Sequence, residues 1–476
     1  MDITRTNIDS LTAELNIKLG KEDYQQKVDS VLSDYQRKAK MNGFRPGKVP
    51  MGMIRKMYGK SVLVDEINNL ISKSIYEYLQ ENKIDILGNP LPKKEEESKI
   101  DWDKQKDFEF TYEMGLSPEV RVKMKDEKIT KYNVLQDDSL VNKYVDYLRK
   151  RYGKYVDAEK SEAEDLVYGD FVELNSDDSV KEGGIFKENS PVSPTAIKSD
   201  EVQQLFLNKS VGDSFNVNPK DIEDSETALT TMLGLKKGKL EDIGDKFKFT
   251  VTRISRIELA ELNQELYDMV YGPGVIKEDK EFIDKTAAEA LAMVQNESDR
   301  KFSNDVVERA LSKTKINLPD EFLKKWLVHS NEKPITPEQV EEEYESFSKG
   351  MKWQLIKGSL IEEHNVEVSE EETLNEARSF IQAQYAQYGQ AKMDPKEIDD
   401  IAKKIIDSKE ERRKINDNLF DTKIIKLLRD SVKTNDVEIS YEEFVKIANE
   451  DAGAAKDKSS ESAFSRFFKS GFMKKK

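Results

Sequence analysis

Two glycines, two prolines, one phenylalanine and two cations fall within eight residues, Gly43-Phe44-Arg45-Pro46-Gly47-Lys48-Val49-Pro50. Glycine admits positive φ and proline fixes φ at about −65°, so the segment reads as a stiff loop that presents Phe44, Arg45 and Lys48 together. The thirty residues from Tyr35 to Val64 hold eight Lys or Arg and no Asp or Glu, on a chain of formal net charge −16. Cations concentrated on an otherwise acidic molecule suit a polyanion. A Phe held outward beside them suits a base or an apolar protein patch. A solvated basic loop is the plain alternative, and the turn chemistry together with the absence of acids favours binding over it.

Most catalytic chemistry lacks raw material. The 476 residues contain no Cys and only His329 and His364, which excludes disulfides and thiolate nucleophiles and leaves little for an imidazole metal site or a Ser-His-Asp triad. Phosphate-cradling loops of the Gly-x-x-x-x-Gly-Lys-Ser/Thr kind do not occur, so no cofactor or nucleotide cycle is expected. Charged residues make up 36% and mean hydropathy is −0.73, too polar for a membrane protein. MDITRTNIDS has no signal-like pattern, no stretch approaches the length of a membrane span, and a cytoplasmic location is expected. The length calls for two to four domains.

The elements that must position the loop follow from periodicity. In LTAELNIKL, residues Leu11, Ala13, Leu15, Ile17 and Leu19 alternate as in a half-buried strand, and Phe108, Phe110, Tyr112 and Met114 repeat the pattern. The two runs are expected to share a sheet. Between them Tyr24, Val28, Val31 and Tyr35, then Ile67, Ile71, Ile75 and Tyr78, have helical spacing. The first unit therefore reads strand, helix, basic loop, helix, strand, with the loop at the tip between two helices.

After Gly115 a charged, extended connector leads to a helix with Asp137 or Asp138 near its N-cap and Leu140, Tyr144 and Leu148 on one side. From Lys154 to Glu258 short β-like pieces alternate with turns, NSPVSP among the turns, and Phe247, Phe249 and Val251 mark a central strand. Beyond Ile257 the chain reads as helical, with stripes at Val340, Tyr344, Phe347, Met351 and Leu355 and at Ile415, Leu419, Ile424, Leu427 and Leu428. Trp326, Trp353, Phe380, Tyr385, Tyr388 and Met393 lie in polar helices, where some should face outward. The tail from Ala452 carries Phe464, Phe467, Phe468 and Phe472 among cations. It reads either as a disordered end or as an accessory contact with RNA, an acidic protein surface or an anionic membrane.

The loop resembles the ribosome-docking signature of the bacterial trigger factor family, Gly-Phe-Arg-x-Gly-Lys-x-Pro, at every specified position, and the order of segments along the chain resembles that family too. Gly169-Asp170-Phe171-Val172 and Gly212-Asp213-Ser214-Phe215 resemble turns of FKBP-type prolyl isomerases, whose fold occupies this slot in the family. The resemblance implies an α+β multidomain fold. Residues 1–115 would be an α/β ribosome-docking domain, 116–153 a linker and helix, and 154–257 a β-rich FKBP-like domain. Residues 258–451 would be an all-α chaperone domain with helical arms, and 452–476 a basic aromatic tail.

It also implies that Phe44, Arg45 and Lys48, shaped by Gly43, Gly47 and Pro50, contact a protein and rRNA of the large ribosomal subunit near the tunnel exit. The other partners implied are nascent and unfolded polypeptides, with a homodimer of the free protein left open. The function implied is ATP-independent chaperoning. The alternative is prolyl isomerisation of unfolded chains, with Phe186, Phe206, Phe247 and Phe249 as candidate pocket aromatics, although plain core is the stronger reading of all four. The pocket motifs depart from the family: Glu173-Leu174-Asn175-Ser176 replaces Asp-aromatic-Thr-Gly, Lys198-Ser199-Asp200-Glu201 replaces Ile-Pro-Gly-aromatic, and the Ala-Tyr-Gly flap is missing. Weak or absent isomerase activity is therefore expected. A charged-helix scaffold and a general RNA-binding protein are the remaining readings.

Overall fold

The computed structural model describes residues 1–45, 47–93, 100–102, 106–223, 225–235, 243–330, 335–387 and 394–454. In chain order the elements are β1 (Asp2–Asn7), β2 (Thr12–Leu19), α1 (Lys21–Lys38), α2 (Met51–Glu81), β3 (Ile86–Pro92), β4 (Phe108–Leu116), β5 (Lys128–Val134) and α3 (Asp138–Arg151). Next come β6 (Lys154–Asp157), β7 (Leu166–Glu173), β8 (Phe186–Val192), α4 (Asp200–Leu205), β9 (Ser214–Val217), α5 (Pro219–Ile222), α6 (Glu226–Met232) and β10 (Phe247–Glu258). The rest is α7 (Gln264–Tyr271), α8 (Asp279–Lys313), α9 (Asp320–Ser330), α10 (Pro337–His364), α11 (Glu370–Gln387), α12 (Pro395–Asp407), α13 (Lys409–Ser431), β11 (Lys433–Ile439) and α14 (Tyr441–Ala454). The chain divides into two compact units. One comprises Met1–Glu127, Val306–Thr373 and Lys409–Val432; the other comprises Lys128–Asp305, Leu374–Ser408 and the residues from Lys433.

In the first unit an antiparallel sheet of order β1-β2-β4-β3 sits under α1 and α2. Its register sets Leu19 opposite Phe108, Ile17 opposite Phe110, Leu15 opposite Tyr112 and Ala13 opposite Met114, so the two alternating runs do pair. Their apolar faces are buried against Tyr24, Val28 and Leu32 of α1 and Ile54, Val62, Ile67, Ile71 and Ile75 of α2. Leu32 takes a buried place that the sequence pattern assigned to Tyr35, which is exposed. The sheet also has two strands more than the pattern showed. β1 is exposed along nearly its whole length and so has no apolar alternation. β3 contains Gly88 and Pro90 and shifts register between Leu87 and Leu91.

On the sheet's opposite face α9 docks into two glycine sockets. A Cβ at Gly115 would lie 2.6 Å from the Phe322 ring, and one at Gly88, where φ is +76°, would lie 2.8 Å from the Trp326 ring. Lys325 adds an ion pair of 3.1 Å to Glu113. Trp326 thus packs on the sheet rather than facing outward. Trp353 and the buried Lys357 of α10 both reach Asp421 of α13, at 3.3 and 3.0 Å.

In the second unit β10 is the centre of a sheet of order β6-β10-β7-β8, with β9 also paired to β10. Phe247, Phe249 and Val251 are buried along it, as alternation required. Asn189 to Val192, expected in a turn, complete β8; Pro191 is tolerated because β8 is an edge strand. The C-terminal region is mostly helical but not all-α, because β11 pairs in parallel with β5, from Lys433 opposite Lys128 to Ile439 opposite Val134. The stretch read as connector therefore supplies a strand. Asp137 caps α3 by accepting the Leu140 amide at 2.8 Å, and Tyr144 and Leu148 join a core with Tyr267, Phe282, Tyr441 and Phe444. Phe380 of α11 is exposed, and Tyr385 is partly buried. Tyr388, Met393 and the phenylalanines of the tail lie outside the described residues. Among the described residues no helix is long and apolar enough to cross a membrane.

Candidate docking site

The loop between α1 and α2 holds its shape through its own backbone. The Gly47 amide donates to the Ala39 carbonyl at 3.2 Å, Phe44 to Met41 at 3.1 Å and Lys48 to Arg45 at 2.9 Å. From α1 the Gln36 side-chain amide donates to the Val49 carbonyl at 2.7 Å, and the Val49 side chain is fully buried. Pro50 opens α2, its carbonyl accepting the Met53 amide at 2.9 Å. Gly43 and Gly47 have φ of +87° and +77°, the left-handed region that disfavours any other residue. At Gly47 a Cβ would also stand 3.1 Å from the Arg37 carbonyl oxygen.

A closed frame of this kind leaves its side chains free to bind. Phe44 is 38% exposed, and Arg45 and Lys48 are exposed with no acidic partner among the described residues. Two arginines of the hairpin differ: Arg37 pairs with Asp34 at 2.6 Å and Arg55 with Asp29 at 2.8 Å. Gly43, Phe44, Arg45, Gly47, Lys48 and Pro50 therefore belong to one small structure, with Pro46 outside the described residues. An exposed guanidinium and ammonium beside an exposed ring can bind phosphate, carboxylate and apolar surface.

Next to the loop the hairpin exposes Tyr35, Met53, Met57 and Tyr58. Periodicity gave no warning of this, because Met and Tyr at helical spacing read as core.

The sheet centred on β10 is built on the opposite principle. Phe206 and Phe249 stand 5.1 Å apart between ring centroids, Phe171 lies 4.8 Å from Phe249 and 6.3 Å from Phe247, and all four rings are fully buried. Phe186 does not join them. It sits on the edge strand β8 and is 58% exposed. Glu173, at the strand end where the pocket motif departs, is buried. Its carboxylate accepts from Lys181 Nζ at 2.5 Å, from the Ile185 amide at 2.8 Å and from the Gly244 amide at 3.2 Å. Burial pushes this carboxyl up, but the Lys181 ammonium and the two amides outweigh burial and hold it below the usual carboxylate range.

Three family profiles match in succession: "Bacterial trigger factor protein (TF)" over residues 1–148, "Probable trigger factor, FKBP-like domain" over 155–259, and "Probable trigger factor, C-terminal domain" over 298–448. The chain belongs to the trigger factor family. It is 27% identical over 334 residues to the trigger factor of Agathobacter rectalis, covering 68% of this chain and 70% of the relative. It is 22% identical over 452 residues to that of Treponema denticola, covering 87% and 92%. A shorter match, 32% over 179 residues, covers 37% of this chain and 36% of the trigger factor of Agrobacterium fabrum. One solved structure, described as "Promiscuous Substrate Recognition in Folding and Assembly Activities of the Trigger Factor Chaperone", overlaps 90% of this chain and 99% of its own at 17% identity. Its TM-score is 0.44, too loose a likeness to bear on function. The family is one of chaperones, and the loop falls inside the first profile.

Proposed function

We propose that this trigger factor family chaperone docks on the large ribosomal subunit through Phe44, Arg45 and Lys48 and shields emerging polypeptides without a nucleotide cycle. The observation that carries the reading is the loop itself: two cations without acidic partners among the described residues, beside an exposed ring, on a frame closed by backbone hydrogen bonds. Docking raises the effective concentration of the client-binding surface near the client, so each client contact can be weak and exchange quickly. A folding client buries its own apolar segments and leaves, because the chaperone competes only for exposed surface.

Residues 1–115 would dock, and the mostly helical residues 258–451 would hold clients, the exposed Phe380 among the contacts. In the FKBP-like residues 154–257, Glu173 and the inner aromatics serve packing, which supports chaperoning over prolyl isomerisation as the main activity. The test is co-sedimentation with bacterial ribosomes across a salt series. Wild type should pellet and weaken as salt rises, while the folded triple variant Phe44→Ala, Arg45→Ala, Lys48→Ala should lose binding by roughly a hundredfold. Equal pelleting of the two would remove the loop as the anchor.

A further inference from the structure

Where β10 hands the chain over to α7, beside the end of α3, the backbone is pinned at several points. A Cβ at Gly153 would meet the Glu258 carbonyl oxygen, so glycine lets the two segments touch. The Arg149 carbonyl accepts the Ala260 amide at 3.0 Å, and Arg149 Nε donates to the Ala260 carbonyl at 2.8 Å. Asn263 then caps α7 by accepting the Leu266 amide at 3.2 Å. This frame encloses a cavity of about 220 Å³, lined by the fully buried Leu266, the half-buried Leu259 and the exposed Met269. Its rim is acidic. Glu265 pairs with Lys154 at 3.8 Å, whereas the exposed carboxylates of Glu258 and Glu261 have no cationic partner among the described residues.

We infer that this cavity receives the basic aromatic segment 462–476 of the same chain, which lies outside the described residues. From Ser462 to Lys476 the sequence holds four phenylalanines, one methionine, five cations and no acid. That is the complement of an apolar cavity rimmed by carboxylates. A phenylalanine ring gains by leaving water against Leu259, Leu266 and Met269, and Arg466 and Lys469, which flank Phe467 and Phe468, can meet the rim as a ring enters. Connectivity supplies the reach. Phe444 of α14 shares a core with Leu266 and Tyr267 of α7, so Ala454 lies within about 15 Å of helix from that core. The stretch from Ala454 to Phe464 spans up to about 35 Å when extended. A tether of that length gives an effective concentration on the order of millimolar, so a weak contact keeps the cavity filled. Docked there, the segment has its rings shielded from water and its cations withheld from other polyanions. No residue of the Gly43 to Pro50 loop takes part, so the inference stands apart from ribosome docking.

The chain has no cysteine, so introduced pairs report proximity without background. In the full-length protein, Leu262→Cys with Ser465→Cys places one thiol at the cavity's edge and one in the segment, and removes neither a lining residue nor a ring. Val180→Cys with Ser465→Cys is the control. Val180 is 65% exposed and bridges Leu174, beside the Glu173 that pairs with Phe247 at the opposite end of β10 from Glu258. Under mild oxidation the cavity pair should close into an intramolecular disulfide roughly tenfold faster than the control, with the advantage shrinking as salt rises. Adding Glu258→Gln, Glu261→Gln and Glu265→Gln should slow the cavity pair by about fivefold. These three positions are exposed, and circular dichroism and Tm should match wild type. Equal rates for the two pairs would overturn the inference. A rate untouched by the neutral rim would overturn the match of charges and with it the choice of this segment. Disulfide-linked dimers in place of linked monomers would overturn it by naming a second copy as the source of the segment.

Discussion

The loop at Gly43 to Pro50 and the sheet around Phe249 use aromatic and charged residues in opposite ways. In the loop the backbone satisfies itself, and the side chains of Phe44, Arg45 and Lys48 are left over. In the FKBP-like region the rings of Phe171, Phe206, Phe247 and Phe249 fill each other's space, and the Glu173 carboxylate is consumed by one ammonium and two amides. A surface kept for a partner leaves polar groups unpaired where water can hold them until the partner arrives. A region kept for its own fold leaves none, since an unpaired buried group costs about 1–3 kcal/mol.

The contrast is broken most forcefully at Phe249. Phe249→Ala should destabilise the FKBP-like region by about 3–5 kcal/mol in denaturant titration, because three rings and the Gly169 backbone lose their neighbour. Phe186→Ala, a same-type change on an exposed edge, should move stability by no more than about 0.5 kcal/mol. If the two changes cost the same, the separation into core and surface aromatics is wrong.

A smaller effect is expected at Glu173. Its folded pKa lies below the unfolded one, so its contribution is fully present above the unfolded value of about 4.3 and is lost as pH falls through the folded value. Glu173→Gln should cost about 1–2 kcal/mol near neutrality, and the gap between variant and wild type should close on acidification. A gap that stays constant down to low pH would mean the carboxylate's charge does not matter. The smallest change concerns the loop frame. Gly47→Ala forces a side chain into φ of +77° and against the Arg37 carbonyl, and should weaken ribosome binding by about fivefold, equivalent to about 1 kcal/mol of strain.

What could be read in the sequence was whatever obeys a local rule. Ala13 to Leu19 and Phe108 to Met114 alternate because one face of each strand is buried, and the Asp137 cap needs only its own turn. The loop at Gly43 to Pro50 was legible because turn-formers and an acid-free charge run are sequence properties. β1, β3 and β11 were not. β1 and β11 are largely exposed and carry no pattern, β3 is interrupted at Gly88, and β11 finds its partner about three hundred residues away. The four pocket candidates could not be divided by residue type, since only burial separates Phe186 from the other three. The exposed Met53 and Met57 were hidden for the converse reason, because methionine at helical spacing is usually inside.

The assembly of each unit from distant stretches of chain governs how the molecule itself comes to be folded. The Gly88 and Gly115 sockets are synthesised long before Phe322 and Trp326, and β5 long before β11. At about 5–20 residues per second, on the order of 15–60 s separates β5 from its partner on a translating ribosome. Closing a loop of that length carries an entropy penalty before any contact rewards it, which makes the last steps slow and leaves the sheet face uncovered meanwhile. This chaperone is thus born with the same problem as its clients, an apolar surface waiting for a segment not yet made.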